Sequence, residues 1–499
     1  MKRIFLFSFV ILILSQISYA QENQLRTINE VVYSIYKPWD EEKLNTKIPA
    51  NLLRDDIDLF VKTIEEIGVN PYINITKDSF YREINLLKRK IDKPLTRREF
   101  IELIVPIASD LKLSHTLVKP DWWVYKSIFD KKGGTYLPVD IKISDNRLIV
   151  DKDYSSSHLT EGDEIISINN IKSKTLIDSL LRYSTSSTQH SRLMDVQTDF
   201  SLLLWWVYDI SSPFKIETKK AVYSIGGKPS AELDKLKNVG TIERTEYRQY
   251  EYTPIDEATS KLTFRDFAIK DTVRYLRFLD SVFYQLKAHP VQNLIIDVRD
   301  NEGGNFYSLE VVKYLYDKPF KASSKMYHKK SKFAEDFFLL VLYPEDRDNP
   351  IMRKLVSNCF GSCEAEHDYG QWYECDNEFS FPKPDSIRFK GNLFVLSDNK
   401  TNSAAVDFVV CIKDYSIGKI IGTETNQSPS NDANGCYFVL PHSNVIAMGA
   451  TNYAIRPNGD PSTTRGVIPD YEVTQVKKNT EKGIDTVMDF TMKLIKNKN

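Results

Sequence analysis

The sequence predicts an α/β core, preceded by a helical region and interrupted by a β-rich insertion. Three observations carry this. Apolar residues recur at three- and four-residue spacing through roughly the first 110 residues; short alternating strands fill the stretch from about 136 to 215; and strand–helix–strand runs dominate after about 260. At 499 residues the chain is too long for a single core, so two or three domains are expected.

Lys and Arg total 67 against 68 Asp and Glu. The chain therefore has no net field to hold a nucleic acid, and no such partner is expected. Met1-Lys2-Arg3, an apolar run from Ile4 to Leu14, and Ser18-Tyr19-Ala20 before Gln21 read as a signal peptide over residues 1–20. The run is short for a membrane span, so the mature protein is expected to be exported, periplasmic or extracellular in a bacterium, with no stable membrane span after cleavage. An uncleaved signal anchor is the alternative. A lipid anchor is not expected, because no cysteine follows the cleavage site.

Residues 21–135 read as an N-terminal helical region. Leu53, Ile57, Phe60, Val61, Ile64 and Ile67 share one helical face, Phe80 to Ile91 repeats the pattern, and Thr96 with Glu99 forms a capping box that opens a helix through Ile107. This region delivers the chain to Leu113-Ser114-His115-Thr116. Asn74-Ile75-Thr76 fits a glycosylation acceptor, which matters only in a eukaryotic secretory pathway.

Residues 136–215 alternate as strands at Tyr136–Ile143, Arg147–Val150 and Gly162–Asn170, with a helix from Thr175 to Tyr183. A connecting region, 216–259, follows. In the core, 260–499, Lys261–Phe264 and Leu294–Val298 are strands flanking a helix over Thr272–Ala288, whose inward face is Val273, Leu276, Leu279, Phe283 and Leu286. Strands at Leu393–Leu396, Lys419–Gly422, Tyr437–Leu440 and Val445–Met448 extend the sheet, and Asp485–Lys496 closes the chain as a helix.

The chemistry concentrates in three places. After the strand Leu393–Leu396, the turn Ser397-Asp398-Asn399-Lys400 leads into an amphipathic helix with Val406, Val409 and Val410 on one side, which places Ser403 at a helix N-terminus. A hydroxyl there lies beside unpaired N–H groups and the positive end of the helix dipole, where an oxyanion is stabilised. The competing reading is a plain helix cap. The buried strand ending at Val298 runs into Arg299-Asp300-Asn301-Glu302-Gly303-Gly304, whose glycines permit close backbone approach. His115, one of 7 histidines, is the third.

Together these stretches resemble the tail-specific, or C-terminal processing, serine peptidase family that includes the tricorn core protease; the resemblance covers most of the chain after about residue 95. It implies a core of crotonase-like β-α-β units and a peptide or protein substrate. Ser403 would be the nucleophile and His115 the general base, with backbone N–H groups of Ala404 and of Gly303 or Gly304 holding the oxyanion. Imidazole suits the role because its ordinary titration lies near neutrality. Tricorn-like members carry a Ser before the His, as Ser114 does here. Leu159–Asn170 is similar to PDZ modules, which capture peptides by strand addition and which this family inserts between its His and Ser motifs. Gly466-Val-Ile-Pro-Asp470 resembles the closing motif of the family.

Two departures stand out. Members with a Ser-Lys dyad carry the Lys in the loop matching Gly422–Pro429, where this chain has Ser428. Tricorn-like members place an acid three residues before the closing glycine, where this chain has Thr463; Glu424 and Asp460 are then the candidates for support. A peptidase-like protein that binds peptides without cleaving them remains the alternative. An esterase elbow, G-x-S-x-G, is absent around Ser403. No cofactor and no metal are expected. Cys359, Cys363 and Cys375, clustered with His367, leave a disulfide, free thiols or a metal site open; Cys436 adds to the pairing question, and Cys411 reads as core.

Overall fold

The computed structural model describes residues 39–237, 248–342, 367–375, 377–480 and 482–497. The signal segment, Cys359 and Cys363 lie outside the described residues.

After a short helical turn at Glu41–Asn45 come three longer helices: α1 (Ala50–Ile67), α2 (Lys77–Lys90) and α3 (Arg97–Ser109). The face expected for α1 is buried throughout, and the capping box at α3 forms with both Thr96 and Glu99 making their reciprocal bonds. A two-residue strand β1 (Leu117–Val118) and a helix α4 (Trp122–Lys131) follow.

The inserted domain is an antiparallel sheet of β2 (Val139–Ser144), β3 (Arg147–Asp153), β4 (Glu164–Ile168), β5 (Ile171–Lys172), β6 (Phe214–Thr218) and β7 (Val222–Ile225). Its helices are α5 (Ser173–Leu180), α6 (Gln189–Thr198) and α7 (Phe200–Tyr208). The sheet continues past the expected boundary at 215, because β6 pairs with β4 and β7 completes the edge inside what reads as a connecting region. Trp205 and Trp206 are helical and pack into the N-terminal helical core.

The core sheet runs β17-β14-β13-β10-β9-β8. Its members are β8 (Tyr250–Asp256), β9 (Thr259–Phe264), β10 (Asn293–Asp297), β13 (Asn392–Ser397), β14 (Lys419–Gly422) and β17 (Tyr471–Glu472). All are parallel except β8, the edge strand supplied by the expected connecting region. The β9–β10 crossover is α8 (Thr272–Ala288) and the β13–β14 crossover is α10 (Ala404–Asp414). The inward face of α8 differs from expectation at its first turn. Val273 is 42% exposed while Tyr275 and Val282 are buried alongside the expected Leu279, Phe283 and Leu286.

A separate five-stranded sheet takes the strands that the sequence pattern assigned to the core. β16 (Val445–Ile455) pairs along its length with β15 (Asn431–Leu440); its other edge takes β1 at one end and β11 (Lys325–Lys329) at the other, and β12 (Trp372–Cys375) follows β11. Helix α9 (Lys332–Leu342) lies after β11, and α11 (Thr486–Lys496) covers the far face of the core sheet. Alternation in sequence identifies a strand, but two sheets with buried faces compete for it, and the pattern cannot choose between them.

The N-terminal helices belong to this second sheet. Leu53, Phe60 and Phe100 share one apolar cluster with Phe438, Leu440, Val445 and Ala447. Buried polar anchors fix the packing: Asp56 on α1 accepts from the N–H groups of His442 (3.1 Å) and Ser443 (2.7 Å), and Arg97 donates to the carbonyls of Ser443 (3.0 Å) and Asn444 (2.9 Å) while pairing with Asp121. Breaking a buried pair of this kind typically costs about 3–5 kcal/mol.

Candidate active site

Parallel register brings two turns side by side. Asn293 to Asp297 of β10 face Asn392 to Leu396 of β13, so Arg299–Gly304 and Asp398–Ser403 leave the same edge of the sheet, outside its carboxyl ends. Open α/β sheets bind ligands at such an edge. Asp398 accepts from the N–H groups of Asp300 (3.1 Å), Lys400 (3.0 Å) and Thr401 (3.0 Å), and Thr401 Oγ1 donates to the Val298 carbonyl (3.0 Å), which clamps the turns together. Below them Arg299 bridges Asp297 and Asp485, the N-cap of α11. Burial alone would raise the Asp297 carboxyl, but the Arg299 charge overcomes it and holds the group below its usual range.

Ser403 is not a helix cap. Its side chain makes no capping bond, and its backbone sits at φ 49°, ψ −125°, a conformation that L-residues rarely adopt. Such strain is held only where the surroundings over-determine it, and it clusters at functional sites. Two neighbours hold this one. The Ser403 N–H donates to Gln427 Oε1 (2.9 Å), and Gly303 lies directly against it. A methyl group on Gly303 would fall 2.6 Å from Ser403 Cβ and 3.0 Å from Ala404 N, and the residue has φ 104°, so only glycine fits.

The Gly303 N–H is already spent on Asn301 Oδ1 (2.9 Å), and its carbonyl accepts from Phe267 N–H (2.7 Å). Of the two glycines, Gly303 is therefore the spacer and not a donor. The N–H of Gly304, on the opposite side of that same peptide, and the N–H of Ala404 remain. Helix α10 also differs from the amphipathic expectation: from Ala404 to Ile412 every residue is buried except Asp407, which makes it a helix packed on nearly all sides.

His115 approaches on the other sheet, two residues before β1, whose pairing with Ala447 and Met448 fixes its position. Asp432, at the start of β15, holds the segment. Its carboxylate accepts from the N–H groups of Ser114 (2.9 Å) and His115 (2.9 Å) and from Ser114 Oγ (2.8 Å). Ser114 Oγ in turn lies 3.0 Å from His115 Nδ1 and accepts from Gln427 Nε2 (2.7 Å). Gln427 thus spans both halves, and Ser403 and His115 stand at the two ends of one chain: Ser403 N, Gln427, Ser114 Oγ, His115 Nδ1. No hydrogen bond joins Ser403 Oγ to His115 among the described residues. The inserted domain reaches this loop as well, since Thr188 and Ser191 at the start of α6 donate to the carbonyl of Asn426.

The structure brings together Ser403, His115, Ser114, Gly303, Gly304 and Ala404. It does not bring in the two carboxylates offered as support. Glu424 is buried against the closing motif, accepting from Gly466 N–H (2.7 Å) and Arg465 Nε (2.8 Å); Asp460 is exposed and accepts from Ser462 N–H (2.9 Å). Thr463 bonds Asn74 (2.7 Å), whose amide also donates to Lys112 O (2.9 Å), so the glycosylation acceptor is committed to internal contacts. Ser428 donates to the Ser430 carbonyl (2.8 Å). The sequence reading missed Gln427 and Asp432. Cys411 and Cys436 are buried free thiols, and no group of His, Cys, Asp and Glu suited to a metal occurs among the described residues.

A strained serine at the mouth of a parallel sheet, linked by hydrogen bonds to a histidine, is the arrangement of a serine-type peptidase. Residues 264–473, from the end of β9 to just beyond β17, match the family model of peptidase family S41. The fold agrees across most of the chain. The crystal structure of mature CPAF is similar with TM-score 0.55 and 14% identity, covering 89% of this chain and 96% of that one; the structure of mature CPAF complexed with lactacystin gives TM-score 0.56 and 13% identity, covering 89% and 97%. No protein of curated function matches at the sequence level.

Proposed function

We propose that the protein is an exported serine endopeptidase that cleaves unfolded or C-terminally exposed protein segments through an acyl-enzyme on Ser403. The observation that carries this is the continuous hydrogen-bonded path from the strained Ser403 through Gln427 and Ser114 to His115.

The proton inventory of Ser114 gives the base its tautomer. Its hydroxyl has one hydrogen, which goes to the Asp432 carboxylate, an acceptor only; Gln427 Nε2 can only donate. The remaining neighbour, His115 Nδ1, must therefore carry a proton, which leaves Nε2 free to accept one. In the reaction Nε2 takes the Ser403 proton as Oγ attacks the scissile carbonyl, and returns it to the leaving amine. The new oxyanion lies between the N–H groups of Ala404 and Gly304, at the N-terminus of α10, and water then hydrolyses the acyl-enzyme. Catalytic hydrogen bonds often tighten only when substrate is bound, so Ser403 Oγ and Nε2 are expected to close on each other in the complex. Asp432 acts through Ser114 and the backbone, as a positioning residue.

The antiparallel sheet of the inserted domain supports a PDZ-like role, with an extended peptide added at a sheet edge. Export rests on the N-terminal segment; no helix among the described residues is long and apolar enough to cross a membrane. Hydrolysis of a denatured casein-type substrate, wild type against Ser403→Ala, tests the reading. Turnover lost in the variant supports it; equal turnover removes Ser403 from the reaction, and none in either leaves a peptide-binding protein.

A further inference from the structure

Helix α10 is closed by packing on every side but one. Between Ser403 and Ile412 only Ser403 and Asp407 keep accessible surface, and they lie one turn apart on the same stripe, with Asp407 N–H donating to the Ser403 carbonyl (3.1 Å). The open face of this helix therefore carries the nucleophile and this carboxyl one turn apart.

Asp407 has no counter-ion among the described residues. The cations nearest to it in sequence are committed elsewhere: Lys400 to Asp300 (3.1 Å) and Lys413 to Asp470 (3.0 Å). Its carboxyl makes no hydrogen bond or ion pair with any described residue, and Asn402 Oδ1, at the same end of the helix, is a buried acceptor with no donor among the described residues. The surroundings deprive the carboxyl of water enough to push it up to about 7, although it is not sealed from solvent. A partly accessible carboxyl with no donor among the described residues is complementary to a ligand that brings donors and positive charge.

We propose that Asp407 is a specificity-determining residue, which receives a lysine or arginine side chain of the substrate next to the bond that Ser403 attacks. The inference rests on the peptidase reading above and adds the class of substrate residue. A charge-assisted hydrogen bond to a desolvated carboxylate would favour a basic residue over leucine by about 10- to 100-fold in kcat/KM.

The test is a panel of internally quenched peptides differing only at that residue (Lys, Arg, Leu, Glu), assayed at pH 8 with wild type and Asp407→Asn, alongside calorimetric binding of n-butylguanidinium to wild type, Asp407→Asn and Ser403→Ala. The expected result is a basic-to-leucine ratio of about 10 or more that collapses toward one in Asp407→Asn, with guanidinium binding lost in Asp407→Asn and kept in Ser403→Ala. An unchanged ratio, or guanidinium binding equal in wild type and Asp407→Asn, overturns the proposal. Should no peptide be cleaved while guanidinium binding still depends on Asp407, the peptidase reading is retired and the cation-binding role of Asp407 stands.

Discussion

The two halves of the candidate site are built by different means. The nucleophile half is local: Asn301 to Gly304 and Asp398 to Ser403 are two turns at the ends of neighbouring parallel strands, and their geometry follows from strand register and from glycine at one contact. The base half is assembled across the chain. His115 is held by Asp432, 317 residues later, on a strand pair that itself rests on the N-terminal helices through Asp56 and Arg97. A chain can specify the first half with a short motif, whereas the second exists only once two sheets and a helical layer have packed. Among the described residues, Gln427 is the one side chain that hydrogen-bonds to both.

The sharpest way to break the comparison is to remove the base itself. His115→Ala should lower kcat/KM by about 10³-fold or more while thermal stability stays close to wild type, because nucleophile and base act as a unit. In the nucleophile half, Gly303→Ala forces Cβ into Ser403 and should cost about 10²–10³-fold in kcat, the size of losing an oxyanion donor, even though no donor is removed. Kinetics at saturating substrate checks it; an effect confined to KM would place Gly303 in binding only.

Asp432→Ala addresses the other half and should be milder, about 10²-fold in kcat, since it acts only through the placement of His115 and the tautomer. It should also lower stability by about 1–3 kcal/mol, read by urea denaturation, because two backbone N–H groups lose their acceptor. Ser403→Ala has no such stability cost, and that contrast separates a half built by long-range contacts from a half built by local turns.

Asp407 gives a pH-dependent signature. Its folded-state value of about 7 stands above the ordinary 3.8, so the native state keeps a proton that the unfolded chain releases. Stability from this group is complete at low pH and declines as pH rises from about 4 to 7. Melting curves of wild type and Asp407→Asn should therefore diverge across that window, with the variant gaining on wild type toward pH 7; parallel curves would contradict the desolvated state of the group. The smallest effect is expected at Ser428→Ala. It removes one bond to Ser430, about 1 kcal/mol, and should leave kcat near wild type, which confirms that the loop contributes Gln427 and no base at position 428.

Legibility in the sequence follows the same division. Helix α8 is found with the bounds its periodicity gives, β14 likewise, and Ser403, Gly303 and Gly304 are visible because turn chemistry is written in adjacent residues. The sheet assignment of Tyr437–Leu440 and Val445–Met448 was not visible, since alternation records burial of one face and not the identity of the sheet that buries it. The edge strand β8 was hidden by its half-exposed, charged pattern. Asp432 escaped for a related reason. Its role is set by register between β15 and the segment before β1, and nothing near either residue announces the other. Glu424 looked suitable by position in the loop, but Arg465 and Gly466 claim it.

The central claim is that His115 activates Ser403. A fluorophosphonate that reacts only with activated serines, mapped by peptide mass spectrometry and timed in wild type, His115→Ala and Ser403→Ala, tests it most directly. The account predicts a single modified residue, Ser403, labelled at least about 10²-fold more slowly in His115→Ala and not at all in Ser403→Ala. Labelling of another serine, or of Ser403 at an undiminished rate without His115, would contradict it.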